Sequence, residues 1–286
     1  MKPSIRSLRL LLAISAITFG KCFSWQANQW KERGKPAFLG AILATSCWAN
    51  VCWADNNNKW ELMNGSVQLN DPVVIGTASY RNPELIGVGG GGAVFSFQGS
   101  KTLLKVSWDG SSKSVERECR TLQSLEKAQV EAAERCLGSF PYDQDRVMIL
   151  VEPYVPDAVA SVMEVPDPSA RIHAVKQIAR TLVQMLAANI VTIDVQPLIS
   201  RETGQVIFID MTEAEKLSPP YSFLDKTLIS SFTTEMITVI PEQYLGVAKA
   251  EALKEVKRLL GKDGQQVLSD DVMEILQSQL DFFSDG

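Results

Sequence analysis

Two features of the chain have the residue types and the spacing for phosphate chemistry. Residues 87–94 read G-V-G-G-G-G-A-V, and Lys105 follows within the short apolar run 102–106. Glycine has no Cβ and adopts positive φ at little cost, so a turn built from glycines lets its backbone approach a phosphate closely. A lysine on the next strand can reach the same phosphates as a point charge. The spacing therefore predicts the beginning of a nucleotide site.

Short β-type runs separated by glycines must position these residues. We predict strands over residues 85–88, 93–97 and 103–106, with a turn at Gly99 and Ser100. A helix over 114–133, a buried strand over 147–151, a helix over 169–188, strands over 190–193 and 206–209, and further helices from Tyr221 onward complete the pattern.

This order of elements resembles the protein-kinase-like fold over about residues 73–215. The full G-x-G-x-x-G-x-V pattern of that family is matched by Gly87, Gly89, Gly92 and Val94. The resemblance implies an α+β fold with two lobes, a small antiparallel β N-lobe and a reduced helical C-lobe. A dinucleotide-binding fold is disfavoured, because the chain continues as a strand where that fold needs a helix to begin.

The resemblance also implies roles for residues that follow the glycines. Lys105 would pair with a glutamate on the next helix, Glu118 in preference to Glu116, and hold the α and β phosphates of ATP. Glu152 and Tyr154 follow a buried strand and resemble the hinge that meets adenine through backbone hydrogen bonds.

The catalytic part of the family pattern is only partly present. Asp194 matches the catalytic aspartate, and Asp210, in Asp-Met-Thr, matches the metal-binding aspartate of D-F-G. Gln196 replaces the loop lysine, and Ile199 stands where the family has a metal-binding asparagine. Because Mg²⁺ prefers hard oxygen ligands, isoleucine cannot bind it, and the site would hold a single Mg²⁺ at most.

Three functions remain open, and they differ in whether the protein is an enzyme. The pattern favours a pseudokinase or weakly active scaffold that binds ATP and a protein partner. The first alternative is an active atypical phosphotransferase that uses Asp194 and Asp210 on a protein or small-molecule substrate. The second is an unrelated α+β domain that binds no nucleotide.

The N-terminal region predicts targeting rather than fold. Residues 1–22 are typical of a signal peptide, and residues 23–54 of a transit or second signal segment or of a membrane anchor. This series favours a plastid address, in the thylakoid lumen or at a membrane, with the secretory pathway as the alternative. Membrane contact is expected only if residues 37–54 are not cleaved. Beyond them we predict a linker (55–72), the N-lobe (73–155) and the C-lobe (156–286).

Charge and cysteine content exclude several classes of protein. Residues 55–286 carry 21 basic and 32 acidic side chains, a net charge of −11, so binding to nucleic acid is not expected. His173 is the only histidine, which disfavours histidine triads and multi-histidine metal sites. Of the five cysteines, Cys119 and Cys136 lie beyond the presequence. We expect buried free thiols, with a disulfide as the alternative in an oxidising compartment.

Overall fold

The computed structural model describes residues 53–54, 59–62, 65–259 and 268–284. The predicted segment 1–22, and all of 23–54 except its last two residues, lie outside the described residues. In the described part, the chain has antiparallel sheets and five α-helices, which confirms the α+β class. None of these described helices has the length and apolar character needed to cross a bilayer.

Strands dominate the first half of the chain and helices the second. The strands are β1 (Trp53–Ala54), β2 (Lys59–Leu62), β3 (Gly65–Gln68), β4 (Val73–Ile75), β5 (Ala78–Tyr80), β6 (Pro83–Val88), β7 (Gly92–Phe97), β8 (Leu103–Ser107), β9 (Arg135–Pro141), β10 (Val147–Glu152), β11 (Ile190–Val191), β12 (Gln196–Ile199), β13 (Val206–Ile209) and β14 (Glu215–Lys216). The helices are α1 (Ser112–Lys127), α2 (Pro168–Ala187), α3 (Phe223–Thr238), α4 (Leu245–Leu259) and α5 (Asp270–Ser284).

The predicted helix over 114–133 ends early, at Lys127, for a local reason. Gln129 adopts a left-handed φ of 58°, and the N–H of Val130 donates to the carbonyl of Leu125 at 3.0 Å. This is the hydrogen-bond pattern by which many helices end.

Two compact units divide the chain. The first comprises the residues up to Val115 together with Phe140–Met148, and the second comprises Glu116–Ser139 and the residues from Ile149 onward. The division differs from the predicted lobes, 73–155 and 156–286, because residues 116–139 and 149–155 belong to the second unit. Backbone hydrogen bonds explain this, since the N–H of Phe208 donates to the carbonyl of Ala132 at 2.6 Å.

The first unit is built on an antiparallel meander of β6, β7 and β8. These strands belong to the largest sheet, whose order is β6-β7-β8-β10-β9. Alternating residues of β7 and β8 are fully buried, among them Phe95, Leu104 and Val106, and Trp108 follows them into the core. Successive side chains of a strand point to opposite faces of the sheet, so the residues between these buried ones face the other side.

Part of the predicted linker, 55–72, is folded instead. β2 and β3 pair as an antiparallel hairpin, and Val67 and Leu69 are buried. The hydroxyl of Tyr142 accepts a hydrogen bond from the Gln68 N–H at 2.7 Å and donates to its carbonyl at 2.8 Å. The polar composition of this segment gave no indication of its two short strands, because backbone pairing holds them together.

The second unit is organised by the long helix α2. Asp167 caps its N-terminus, Pro168 occupies the first turn, and its apolar face is buried. Two contacts join α2 to α4. The Gln184 side-chain amide donates a hydrogen bond to the Glu255 carboxylate at 2.8 Å, and Arg180 forms an ion pair with Glu251 at 2.9 Å. Glu251 and Glu255 are buried on α4, and these contacts compensate their negative charge.

The two cysteines of the folded chain are not free thiols as expected. Cys119 on α1 and Cys136 on β9 form a disulfide within the second unit. Both were correctly expected to be buried. Their 17-residue separation did not reveal the pairing, because it depends on β9 returning beside the helix.

Candidate functional site

The glycine-rich loop, residues 87–94, is a tight connection between β6 and β7 in the first unit. The N–H of Gly89 donates to the carbonyl of Gly92 at 2.9 Å, which closes the turn. Trp108 anchors the loop through two hydrogen bonds. Its indole Nε1 donates to the Gly89 carbonyl at 2.8 Å, and its backbone N–H donates to the Gly91 carbonyl at 3.2 Å. The loop is therefore fixed through its carbonyls.

The glycines of this loop serve different purposes. A Cβ on Gly92 would lie 2.1 Å from the carbonyl oxygen of Val106, so this glycine is needed for β7 to pack against β8. Gly89 and Gly90 are exposed, and a Cβ on either would meet nothing within 4 Å. Neither they nor Gly92 has φ between +20° and +160°, so the expected use of positive φ is wrong at these positions.

Lys105 lies beside the glycine-rich loop because of strand register. Gly87 pairs with Val94, and Val94 pairs with Lys105, so the three residues form one row across β6, β7 and β8. Val94 and Lys105 are half-buried and share a face of the sheet. A Cβ on Gly91 would lie 3.9 Å from Cε of Lys105. The structure thus brings the first-unit candidates together.

In the second unit, Glu118 and Asp210 meet through Thr212. Glu118 is only 1% exposed, and its carboxylate lies 3.3 Å from the Thr212 hydroxyl. The same hydroxyl donates to Asp210 Oδ1. One hydroxyl hydrogen therefore serves two carboxylates, and their combined negative charge favours a nearby cation. Glu116, the second choice, is instead half-exposed and ion-paired with Arg120 at 3.8 Å.

The backbone of Asp210 is strained. It follows the last residue of β13 and adopts φ 57° and ψ 62°, the left-handed region that non-glycine residues rarely occupy. Aspartate tolerates this conformation better than most residues, and strain of this kind concentrates at functional sites.

Asp194 is held by its sequence neighbours and by one distant helix. Its Oδ2 accepts a hydrogen bond from Nε2 of Gln196 at 2.8 Å, and its N–H donates to the Thr192 hydroxyl at 3.2 Å. Glu235, on α3, accepts a hydrogen bond from the N–H of Val195. Burial, together with the negative charge of Asp194, raises the pKa of Glu235 to about 7.

The hairpin of β12 and β13 places both aspartates at its open end. Gln196, the first residue of β12, pairs with Ile209, the last residue of β13. Asp194 lies two residues before this pair and Asp210 one residue after it. Both carboxylates therefore project from the same end of one rigid element of the second unit.

Ile199 stands where the family pattern has its metal-binding asparagine, and we expect it not to bind Mg²⁺. Ile199 lies in β12, pairs with Val206 and is fully buried, and its backbone bonds to Val159 in both directions. Only Val195 separates Asp194 from β12. Gln196 is the amide side chain that lies near Asp194.

The hinge candidates lie in the second unit. Glu152 is the last residue of β10, and its carboxylate is ion-paired with Arg135. Tyr154 follows two residues later and is half-buried. The Glu152 side chain is therefore engaged in a structural ion pair.

Sequence reasoning missed Thr212 and Glu235. Thr212 could have been noticed, since it is the third residue of Asp-Met-Thr and carries a hydroxyl. Glu235 gave no local signal, because its contact with Val195 joins residues far apart in the chain. Among the described residues, no group of three or more His, Cys, Asp or Glu side chains is placed to hold a metal ion.

Comparison with known proteins identified no relative. A scan against models of protein families gave no match, and a search of curated proteins found no similar sequence.

We expect Gly92→Ala to destabilise the fold and Gly90→Ala to leave it nearly unchanged. The added Cβ at position 92 would overlap the Val106 carbonyl, whereas position 90 opens to free space. Overpacking of this kind costs about 2–3 kcal/mol, and an open surface change about 0.5 kcal/mol or less. Urea unfolding measures both, and equal losses for the two variants would contradict this account of the loop.

Glu235→Gln should make stability less dependent on pH. The folded pKa of Glu235 lies above its ordinary value, so the wild-type protein loses stability as pH rises from about 5 through 7. Because the carboxyl is about half exposed, we discount the full shift to about 1–2 kcal/mol of relative gain for the variant at pH 8 compared with pH 5.

Urea unfolding between pH 5 and 8 measures this difference. Glu202→Gln, on an exposed turn, removes the same charge and serves as the control. Parallel pH profiles for the wild type and Glu235→Gln would show that Glu235 does not titrate in this range.

Proposed function

We propose that this chain is a kinase-like nucleotide-binding protein that holds ATP phosphates with its glycine-rich loop and Lys105. The observation that carries this proposal is the row of Gly87, Val94 and Lys105 across three strands. The row sets the lysine side chain beside a loop whose tip is exposed and uncrowded at Gly89. A cationic group beside open backbone is the arrangement that phosphate binding requires.

Features of the second unit support a two-lobed, kinase-like architecture. A helix with a buried glutamate, Glu118, follows the lysine strand, as the resemblance implies. A later hairpin then presents Asp194 and Asp210 at one end.

We infer that binding, rather than turnover, is the main activity. Ile199 stands where the family pattern has its asparagine and is buried in the core, so the loop lacks that metal ligand. A nucleotide-binding fold without efficient transfer acts on a protein partner as a scaffold. This is the pseudokinase form of the proposal.

The second candidate is an active atypical phosphotransferase, which the hydrogen bond between Gln196 and Asp194 favours. Asp194 would accept the proton of an attacking hydroxyl group. Asp210 has the oxygen chemistry to hold one Mg²⁺. When bound, that ion neutralises phosphate charge.

We also propose that the protein works in an oxidising compartment, in a plastid lumen or the secretory pathway. The disulfide between Cys119 and Cys136 supports this address, because structural disulfides persist in such compartments and are rare in the cytosol.

Thermal unfolding in the presence of ATP tests the nucleotide proposal. We expect ATP, with Mg²⁺ or Mn²⁺, to stabilise the wild-type protein by about 2.7 kcal/mol at a hundredfold excess over the dissociation constant. Lys105→Met should lose this stabilisation. Lys101→Met, which removes the same charge from an exposed position four residues earlier, should retain it.

Phosphate release on the same samples separates the candidates. No turnover favours the pseudokinase, and turnover that Asp194→Asn and Asp210→Asn abolish identifies the enzyme. No shift with any metal would overturn the nucleotide proposal and leave an unrelated α+β domain.

A further inference from the structure

A small pocket of about 110 Å³ lies in the second unit between one face of α1 and the ribbon formed by β11 and β14. Its lining residues are Arg117, Arg120, Thr121, Ser124, Ile190 and Lys216. The four that come from α1 are spaced so that they share one helix face. Lys216 faces them from the ribbon, where it pairs with Ile190.

Three cationic side chains and no carboxylate line this pocket. The positive charge of this lining contrasts with the net charge of the protein, which is negative. Like charges gathered in a small volume repel one another, so their convergence lowers stability unless an anion or water offsets it.

Other contacts of these cations leave them available to an anion. Arg117 uses one of its five N–H donors on the Thr212 carbonyl, at 2.8 Å. Arg120 lies 3.8 Å from Glu116, but both side chains are largely exposed, and such pairs contribute little. In the part of the chain that the structure describes, no carboxylate forms an ion pair with Lys216.

We propose that this pocket binds a tetrahedral oxyanion of the phosphate class, either a free ion or the phosphoryl group of a modified side chain. Its volume of about 110 Å³ exceeds the ~10–15 Å³ of accessible space that one water molecule needs, so it has room for a compact anion. Drug-sized ligands need ~300 Å³ or more. Two guanidinium groups, an ammonium group and the Thr121 hydroxyl supply the donors such an anion needs.

This site is separate from the proposed nucleotide site and does not depend on it. None of its lining residues belongs to the glycine-rich loop or to the aspartates of the hairpin. Its failure would leave the nucleotide proposal untouched, and the reverse also holds.

Isothermal titration of the full chain at constant ionic strength, with inorganic phosphate and separately with O-phosphoserine, tests the proposal. We expect saturable binding of at least one probe. Lys216→Gln and Arg120→Gln should each weaken it about tenfold, since a charge-assisted contact is lost. Lys257→Gln, an exposed lysine outside the pocket, removes the same charge and should bind as the wild type does.

The two probes distinguish the sources of the anion. Tighter binding of phosphoserine points to a phosphorylated side chain, and equal or weaker binding points to free phosphate. Without ligand, Lys216→Gln should be at least as stable as the wild type, because it removes one of three like charges. Absence of saturation for both probes, or unchanged binding in both pocket variants, would overturn the proposal.

Phosphate also stabilises proteins in general, because it is excluded from their surfaces. Thermal unfolding in rising phosphate detects this effect. A linear rise in Tm that is identical in the wild type and both pocket variants would show exclusion rather than binding, and would count against the site.

Discussion

The close approach of β7 to β8 at Gly92 is the constraint on which the candidate phosphate site depends. A side chain there would collide with the Val106 carbonyl, so only glycine lets the two strands pair in the observed register. That register aligns Val94 with Lys105 and brings the lysine beside the glycine-rich loop. Gly92 therefore acts through the sheet, whereas Gly89 and Gly90 at the tip of the loop are exposed. One cluster thus combines a packing requirement with an open surface.

In the second unit, the corresponding constraint is electrostatic. The hairpin of β12 and β13 gathers two aspartates at one end, and Thr212 links one of them to the buried Glu118. Burial, together with the negative charge of Asp194, raises the pKa of Glu235 in this region. Concentrated negative charge of this kind is expensive for a folded protein to maintain unless a cation or a proton offsets it.

Local geometry was predictable from the sequence, and distant pairing was not. The distance from the glycines to Lys105 follows from hairpin geometry, so the spacing alone placed them on adjacent strands. Strand β12 was not predicted, because its pairing with β13 becomes evident only in the fold. The contact of Glu235 with the catalytic-loop segment and the disulfide of Cys119 had no local signal, since each joins segments that only tertiary packing brings together.

Lysine labelling by an ATP analogue with a reactive acyl phosphate tests whether Lys105 lies against the phosphates of bound ATP. Such a probe acylates an amine that lies against the bound phosphates, and mass spectrometry of the peptides identifies the lysine. We expect Lys105 to be the main labelled residue and excess ATP to block its labelling. Labelling of Lys105 that ATP does not reduce, or ATP-sensitive labelling of other lysines with Lys105 unmodified, would contradict the proposed nucleotide site.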